Sequence, residues 1–343
     1  MDASFFYMYM PIAGVNIFWP GLVLIGFSVG VIGGFFGMGG AWMVTPGLNI
    51  LGFPMAFAIG TDIAHIAGKS MISTMRHAKF GNVDYKLGFV MLIGTMVGIE
   101  CGAQVIMMLE RMGVVGSVVR WVYVVFLALI SFMVFYDYAK AVHNKKAGAT
   151  SERGTEGVTW YKTLHKLRIP PMVHFQAAGF TCSAWLPITV SFVTGVLAGF
   201  LGIGGGLLRM PALVYLIGCP THIAVGTDLF EVMISGLYGA FTYSLKGRIE
   251  LVAVFVMLSG AAIGAQIGTV ATKYAKGYGI RIAFGTAVLC CMISIILKQL
   301  KFDDPAAVLI LGTISVMCLW IMKIMFTGAA QELREKKMRE QSA

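Results

Sequence analysis

The sequence predicts an all-α, polytopic membrane protein built from two internal repeats, read as inverted. Each repeat would hold a glycine-broken or re-entrant helix pair and three transmembrane helices, and an extra C-terminal helix would follow. Three observations predict this. Hydrophobic residues make up 58% of the 343 and charged residues only 12%, against about 25% charged in soluble domains. The apolar residues fall in runs longer than the roughly 20 that cross a bilayer as a helix. A glycine-rich pattern also occurs twice, 165 residues apart.

The N-terminus lacks the basic start of a signal peptide. Its Phe5, Phe6, Tyr7, Tyr9, Phe18 and Trp19 read as an interfacial aromatic belt. Residues 21–51 then carry no charge. As one helix they would be about 46 Å long, too long for a hydrocarbon core of about 30 Å. Gly37, Gly39 and Gly40 interrupt the run, and glycine permits the positive φ that a sharp reversal needs. Two half-helices entering and leaving on one side are expected there, and again over 188–217.

The copies align in order. Gly34 to Gly40, ending at Pro46, recur as Gly199 to Gly205, ending at Pro211. Gly52-Phe53-Pro54 recurs as Gly218-Cys219-Pro220, and Gly60-Thr61-Asp62 as Gly226-Thr227-Asp228. The row Gly94, Gly98, Gly102 matches Gly260, Gly264, Gly268. Spacing by four suits close helix approach. The expected organisation is a membrane repeat over 1–139, a polar cytoplasmic linker over 140–185, a second repeat over 186–300, and a final helix with a basic tail over 301–343. A short interfacial helix is expected near 160–167.

Charge placement supports the hairpins. The formal charge of +10 comes from basic residues between apolar runs, which is the pattern of cytoplasmic loops rather than of nucleic-acid binding. With re-entrant hairpins, eighteen basic residues fall on one side and six on the other. If both glycine stretches cross fully, the split is fourteen to ten. The hairpin arrangement puts the N-terminus outside and the C-terminus in the cytoplasm of a cell-membrane protein.

The glycine breaks are the first candidate site. A broken membrane helix bares backbone groups that lipid cannot satisfy, and free N–H groups at a half-helix start bind anions. Gly37, Gly39, Gly40, Gly202, Gly204, Gly205 and Gly206 are therefore candidate substrate contacts, and the competing reading is tight packing. Arg209, just past the second break, is a candidate partner for an anionic oxygen or a carboxylate-paired structural residue. Asp62, His65 and Lys69 share one helix face; Asp228 and Glu231 repeat its first two positions and Ser235 the third. Ionisable groups at such depth carry ions or satisfy one another. Glu100, with Gln104 one turn on, is a further proton-carrier candidate. Arg76, His77, Lys79 and Asp84 read as a solvated loop.

Other chemistry finds little support. The cysteines at 101, 182, 219, 290, 291 and 318 lack metal-ligand spacing. The 23 methionines are scattered and read as packing. No G-x-x-x-x-G-K-[ST] run and no H-E-x-x-H occurs, so no cofactor and no catalytic activity are expected. The expected partners are a small solute and lipid, and a homodimer stays open.

At these residues the sequence resembles the TauE/SafE sulfite-exporter-like family. Gly37-Met38-Gly39-Gly40 with Pro46, Gly202-Ile203-Gly204-Gly205-Gly206 with Pro211, and the Pro-then-Gly-Thr runs Pro54–Thr61 and Pro220–Thr227 carry the likeness. It covers about residues 20–130 and 185–300. The resemblance implies a permease for small, often sulfur-containing anions such as sulfite or organosulfonates, bound around both glycine motifs. Members often have Ser after Gly-Thr, where this chain has Asp62 and Asp228. Those carboxylates would hold a coupling proton or sodium ion, or else serve as ligands in a cation transporter.

Overall fold

The computed structural model describes residues 3–36, 41–146, 169–272, 274 and 279–341. The first glycine cluster (Gly37, Gly39, Gly40) and residues 147–168 of the expected linker, with the helix expected near 160–167, lie outside these residues. The described chain is helical apart from two short hairpins. A hairpin of β1 (Tyr7–Met10) and β2 (Val15–Phe18) leads into α1 (Trp19–Phe36). Then come α2 (Val44–Ile50), α3 (Met55–Lys79), α4 (Tyr85–Arg111) and α5 (Val115–Lys146). The order recurs with β3 (Met172–Phe175), β4 (Phe180–Ser183), α6 (Trp185–Leu201), α7 (Gly206–Tyr215), α8 (Thr221–Leu245), α9 (Leu251–Thr272) and α10 (Gly279–Gln299). A long α11 (Asp303–Gln341) ends it.

Six of these helices, α4, α5, α8, α9, α10 and α11, are long and apolar enough to cross a membrane. The 25-residue α3 matches α8 in length, but Asp62, His65, Lys69, Arg76 and Lys79 lower its hydropathy. Both open after a proline, Pro54 and Pro220, whose missing N–H costs a helix start nothing. The chain is the all-α polytopic membrane protein that its sequence predicts, with two short β-hairpins added. Each has four-residue strands, and exposure alternates along all but Phe180–Ser183. Each turns through a glycine with positive φ, Gly14 at 67° and Gly179 at 72°. These alternations are too short to stand out in a sequence dominated by apolar runs.

Both glycine-interrupted stretches fold back on themselves. In the first, a methyl on Gly21 would lie 3.6 Å from Leu51 and one on Gly47 would lie 3.2 Å from Ile25. The arms α1 and α2 are therefore antiparallel. In the second, Thr194 of α6 meets Arg209 of α7, which puts the tip at 202–205.

The halves interlock through glycine. Gly26, Gly30 and Gly34 of α1 face the backbone at Met257, Ala261 and Ala265 of α9, while Gly260, Gly264 and Gly268 face Val23, Phe27 and Val31 in return. In the same way Gly94, Gly98 and Gly102 of α4 meet Ile188, Phe192 and Val196 of α6. The registers rise together, so both pairs are parallel. By contrast Gly60 lies by Tyr243, Ile63 by Gly239 and Ala67 by Gly236, so α3 and α8 run antiparallel. The glycine rows thus serve the close helix approach expected of them.

Buried carboxylates tie each β-hairpin to the opposite half. Glu250 is fully buried, and its Oε2 accepts from the amides of Ile12 (2.8 Å) and Ala13 (3.0 Å) in the first turn. Asp84 Oδ2 accepts from Ala178 in the second turn at 3.0 Å, and its Oδ1 caps α4 by accepting from Leu87. Of the residues expected in a solvated loop, Arg76, His77 and Lys79 lie in α3 and Asp84 is only 3% exposed. The Gly-Thr pairs serve the same joints. Thr61 Oγ1 accepts from the amide of Glu250, and Thr227 Oγ1 from that of Asp84. Gly60 and Gly226 leave room for the carbonyls of Arg248 and Asn82, which a methyl would approach to 2.2 and 2.0 Å.

Gly264→Val would drive a side chain into the Phe27 carbonyl, already 2.0 Å from an added methyl, with an expected cost of at least about 1–3 kcal/mol. Gly312→Ala, with nothing within 4 Å of the new methyl, should be neutral. Thermal unfolding in detergent, followed by size-exclusion fluorescence, checks the contrast. Equal melting for the two variants would contradict the interlock.

Candidate functional site

The second break is built from positive-φ glycines. Gly202, Gly204 and Gly205 have φ of 79°, 66° and 75°, in the left-handed region where side chains are disfavoured. The last carbonyls of α6 lose their helical partners here, yet they find others. Ala198 O keeps the last helical bond, from the Gly202 amide at 2.8 Å. Gly199 O accepts from the Tyr243 hydroxyl at 2.6 Å and Leu201 O from the Tyr123 hydroxyl at 2.5 Å. Both tyrosines are buried, one from each half. The opening amides of α7, at Gly206 and Leu207, make no hydrogen bond to another described residue.

Arg209 sits on the return arm and is fully buried. Its Nη1 pairs with Glu231 and lies 3.3 Å from Asp228 Oδ1, and its Nε donates to Thr194 Oγ1 at 3.3 Å. Gly205 makes room for it, since a methyl there would lie 2.5 Å from Nη2. Ser235 donates to Glu231 Oε2 at 3.4 Å. Arg209 Nη2 and Glu231 Oε1 have no hydrogen-bond partner among the described residues. One guanidinium therefore faces two carboxylates at the start of a half-helix.

The first half has a different arrangement at the matching place. Asp62 Oδ2 accepts from the Thr45 amide (3.0 Å) and hydroxyl (2.8 Å) at the head of α2. His65 Nδ1 is 3.7 Å from Asp62 Oδ1. That oxygen, both ring nitrogens of His65 and Lys69 Nζ are buried without hydrogen-bond partners among the described residues. The second break reaches this cluster, because a methyl on Gly202 would lie 2.7 Å from Thr45 Oγ1 and 3.1 Å from the Ile59 backbone.

The candidate residues thus gather in two clusters, Thr45–Asp62–His65–Lys69 and Thr194–Arg209–Asp228–Glu231–Ser235. From the α3/α8 register, Asp62 and Asp228 are about 13 residues, or about 20 Å, apart along the helix pair. Lys69 and Ser235 lie near its centre. A small cavity lined by Ile63, Ile66, Ile99, Ala198, Gly204, Ser235 and Gly236 adjoins the second break, with room for about one water. A groove bordered by Asn49, Arg120 and Lys298 reaches Tyr123. Glu100 stands apart from both clusters. It is partly exposed and paired with Lys246 at 3.0 Å and Gln104 at 2.6 Å.

The family model described as sulfite exporter TauE/SafE matches residues 22–295. The chain belongs to the TauE/SafE family. The probable membrane transporter protein YunE of Bacillus subtilis is 29% identical over 72% of this chain and 86% of its own length. A probable membrane transporter protein of Xylella fastidiosa strain 9a5c is 24% identical over 80% of this chain and 92% of its own. One from Methanocaldococcus jannaschii is 25% identical over 65% and 72%. No solved structure matches. In this TauE/SafE chain, sequence reasoning missed Thr45, Thr194, Tyr123 and Tyr243. Only Tyr243 lies in a helix already carrying candidates, and a buried tyrosine in an apolar run looks like packing.

Tyr123→Phe would leave the Leu201 carbonyl unpaired at depth, costing about 1–3 kcal/mol. A lowered melting temperature in detergent is expected. Full wild-type stability would count against the capping role.

Proposed function

We propose that this multi-pass membrane protein is a secondary transporter of a small anion. Sulfite, an organosulfonate or a related sulfur-containing anion is the cargo, and a proton or sodium gradient drives it. The carrying observation is the buried Arg209, held by Asp228 and Glu231 beside the second break. An incoming anion competes with these carboxylates for the guanidinium. When it wins, the carboxylates are left buried and unpaired, a costly state. A proton or sodium ion on Glu231 or Asp228 removes that cost, so the two bindings favour each other. The free amides of α7 add donors at a half-helix start. Asp62, with His65 beside it, supplies a second ion or proton position in the first half.

In this reading the halves are inverted repeats, with re-entrant hairpins entering from opposite faces. The antiparallel α3/α8 pair supports it, and alternating access follows from one half rocking against the other. Basic-residue placement puts the N-terminus outside and the C-terminus in the cytoplasm. The chain has no catalytic role in this scheme. Among the described residues, no group of three or more His, Cys, Asp or Glu is placed to hold a metal ion. The second reading, a cation transporter, draws on the excess of carboxylates over guanidinium in the Arg209 cluster.

Purified protein in liposomes should carry sulfite or an organosulfonate when a proton or sodium gradient is imposed. Failure across sulfite, sulfonates and sulfate would sink the sulfur-anion assignment. Glu231→Gln should keep anion exchange and lose gradient dependence. Arg209→Gln should remove anion flux; a cation flux that persists in that variant would establish the second reading instead.

A further inference from the structure

We infer that Lys69 is the residue that first anchors the anion, and that Arg209 becomes available only after its carboxylates let go. This rests on the anion-transport reading above and names the residue that starts it. Lys69 is 5% exposed on α3, and among the described residues its Nζ makes no hydrogen bond and no ion pair. The cations on neighbouring helices differ. Arg209 is engaged by Asp228 and Glu231, Lys246 by Glu100, Arg248 by Glu110 and Lys298 by Asp303, while Arg120, with no carboxylate, donates to the amide oxygens of Gln299 and Asn49. A buried ammonium without a counter-ion is costly, and such a group in a membrane helix marks a ligand path.

The surroundings specify the ligand's chemistry. Asp62, His65 and Lys69 follow one another at i, i+3 and i+7 on one face of α3 and so form a column. Asp62 is already held on one oxygen by Thr45, and its other oxygen is open. His65 offers two unpartnered ring nitrogens. The column therefore asks for acceptors at Lys69 and His65 and for a donor at Asp62 Oδ1. A small oxyanion that keeps one hydroxyl meets both demands, and so does a hydrated one. Hydrogen sulfite is of the first kind; a sulfonate would need a water to reach Asp62. Ile66, one turn before Lys69, lines the cavity that also touches Gly204 and Ser235. Lys69 therefore stands near the crossing of α3 and α8, where both halves and the second break meet.

The test is sulfite binding to purified full-length protein in detergent, by titration calorimetry with sodium chloride as the control salt. Lys69→Met should weaken sulfite binding by about tenfold or more, and Lys69→Arg should retain most of it, because the charge is kept. Lys69→Met should also melt no lower than wild type, since it removes an unpaired buried charge. A merely structural lysine predicts the opposite. If Lys69→Met does not fold, the double variant Asp62→Asn/Lys69→Met, neutral at both ends of the column, takes its place with the same expectation. Wild-type affinity in the neutral variant overturns the inference while leaving anion transport standing. Absence of binding to wild type by sulfite, methanesulfonate and sulfate overturns the anion reading, and the inference with it. Equal loss in Lys69→Met and Lys69→Arg, with lowered melting in both, assigns the lysine a structural role and also overturns it.

Discussion

Main-chain polar groups that leave a helix in an apolar medium must find new partners, and the second break depends on how it meets that demand. Two carbonyls at the end of α6, those of Gly199 and Leu201, are met by the hydroxyls of Tyr243 and Tyr123. Because one tyrosine comes from each half, the break is held only while the halves are docked. A movement of one half against the other would strip partners from the break. This links the local chemistry of the hairpin to the large-scale motion a transporter needs.

The glycine interlocks make that docking intimate. Where α1 meets α9 and α4 meets α6, backbone lies against backbone with no side chain between. The contact is crosswise: the hairpin of each half packs on a straight helix of the other. The buried carboxylates Glu250 and Asp84 work crosswise too, each holding the β-hairpin of the opposite half. The molecule is therefore two interleaved halves rather than two neighbouring bundles, and its polar clusters are enclosed by both.

The two clusters are matched in place and unlike in charge. Asp62 and Asp228 each reach the return arm of their own hairpin, but Asp62 finds a threonine and Asp228 an arginine. The second cluster has two carboxylates for one cation, while the first has a cation with no direct partner. Such a division suits a carrier that must accommodate an anion and a coupling cation together, since identical clusters would compete for the same ligand.

Much of this was legible in the sequence. Glycine has unusual backbone freedom and little bulk, so the rows at 94–102 and 260–268 and the cluster at 202–206 announced close packing and a sharp turn. Charge in an apolar run is costly, so Asp62, His65, Lys69, Arg209, Asp228 and Glu231 stood out as buried sites. Family membership followed from the same residues. Only the tertiary structure decided which of these groups touch. It paired Arg209 with two carboxylates, left Lys69 alone, put Glu100 on a separate ion pair, and recruited Thr45 and two tyrosines that looked like ordinary packing. It also turned Asp84 from a loop residue into a buried clasp. Burial and backbone strain are written into residue types one at a time, whereas partnership depends on how distant helices cross, and no local pattern encodes that.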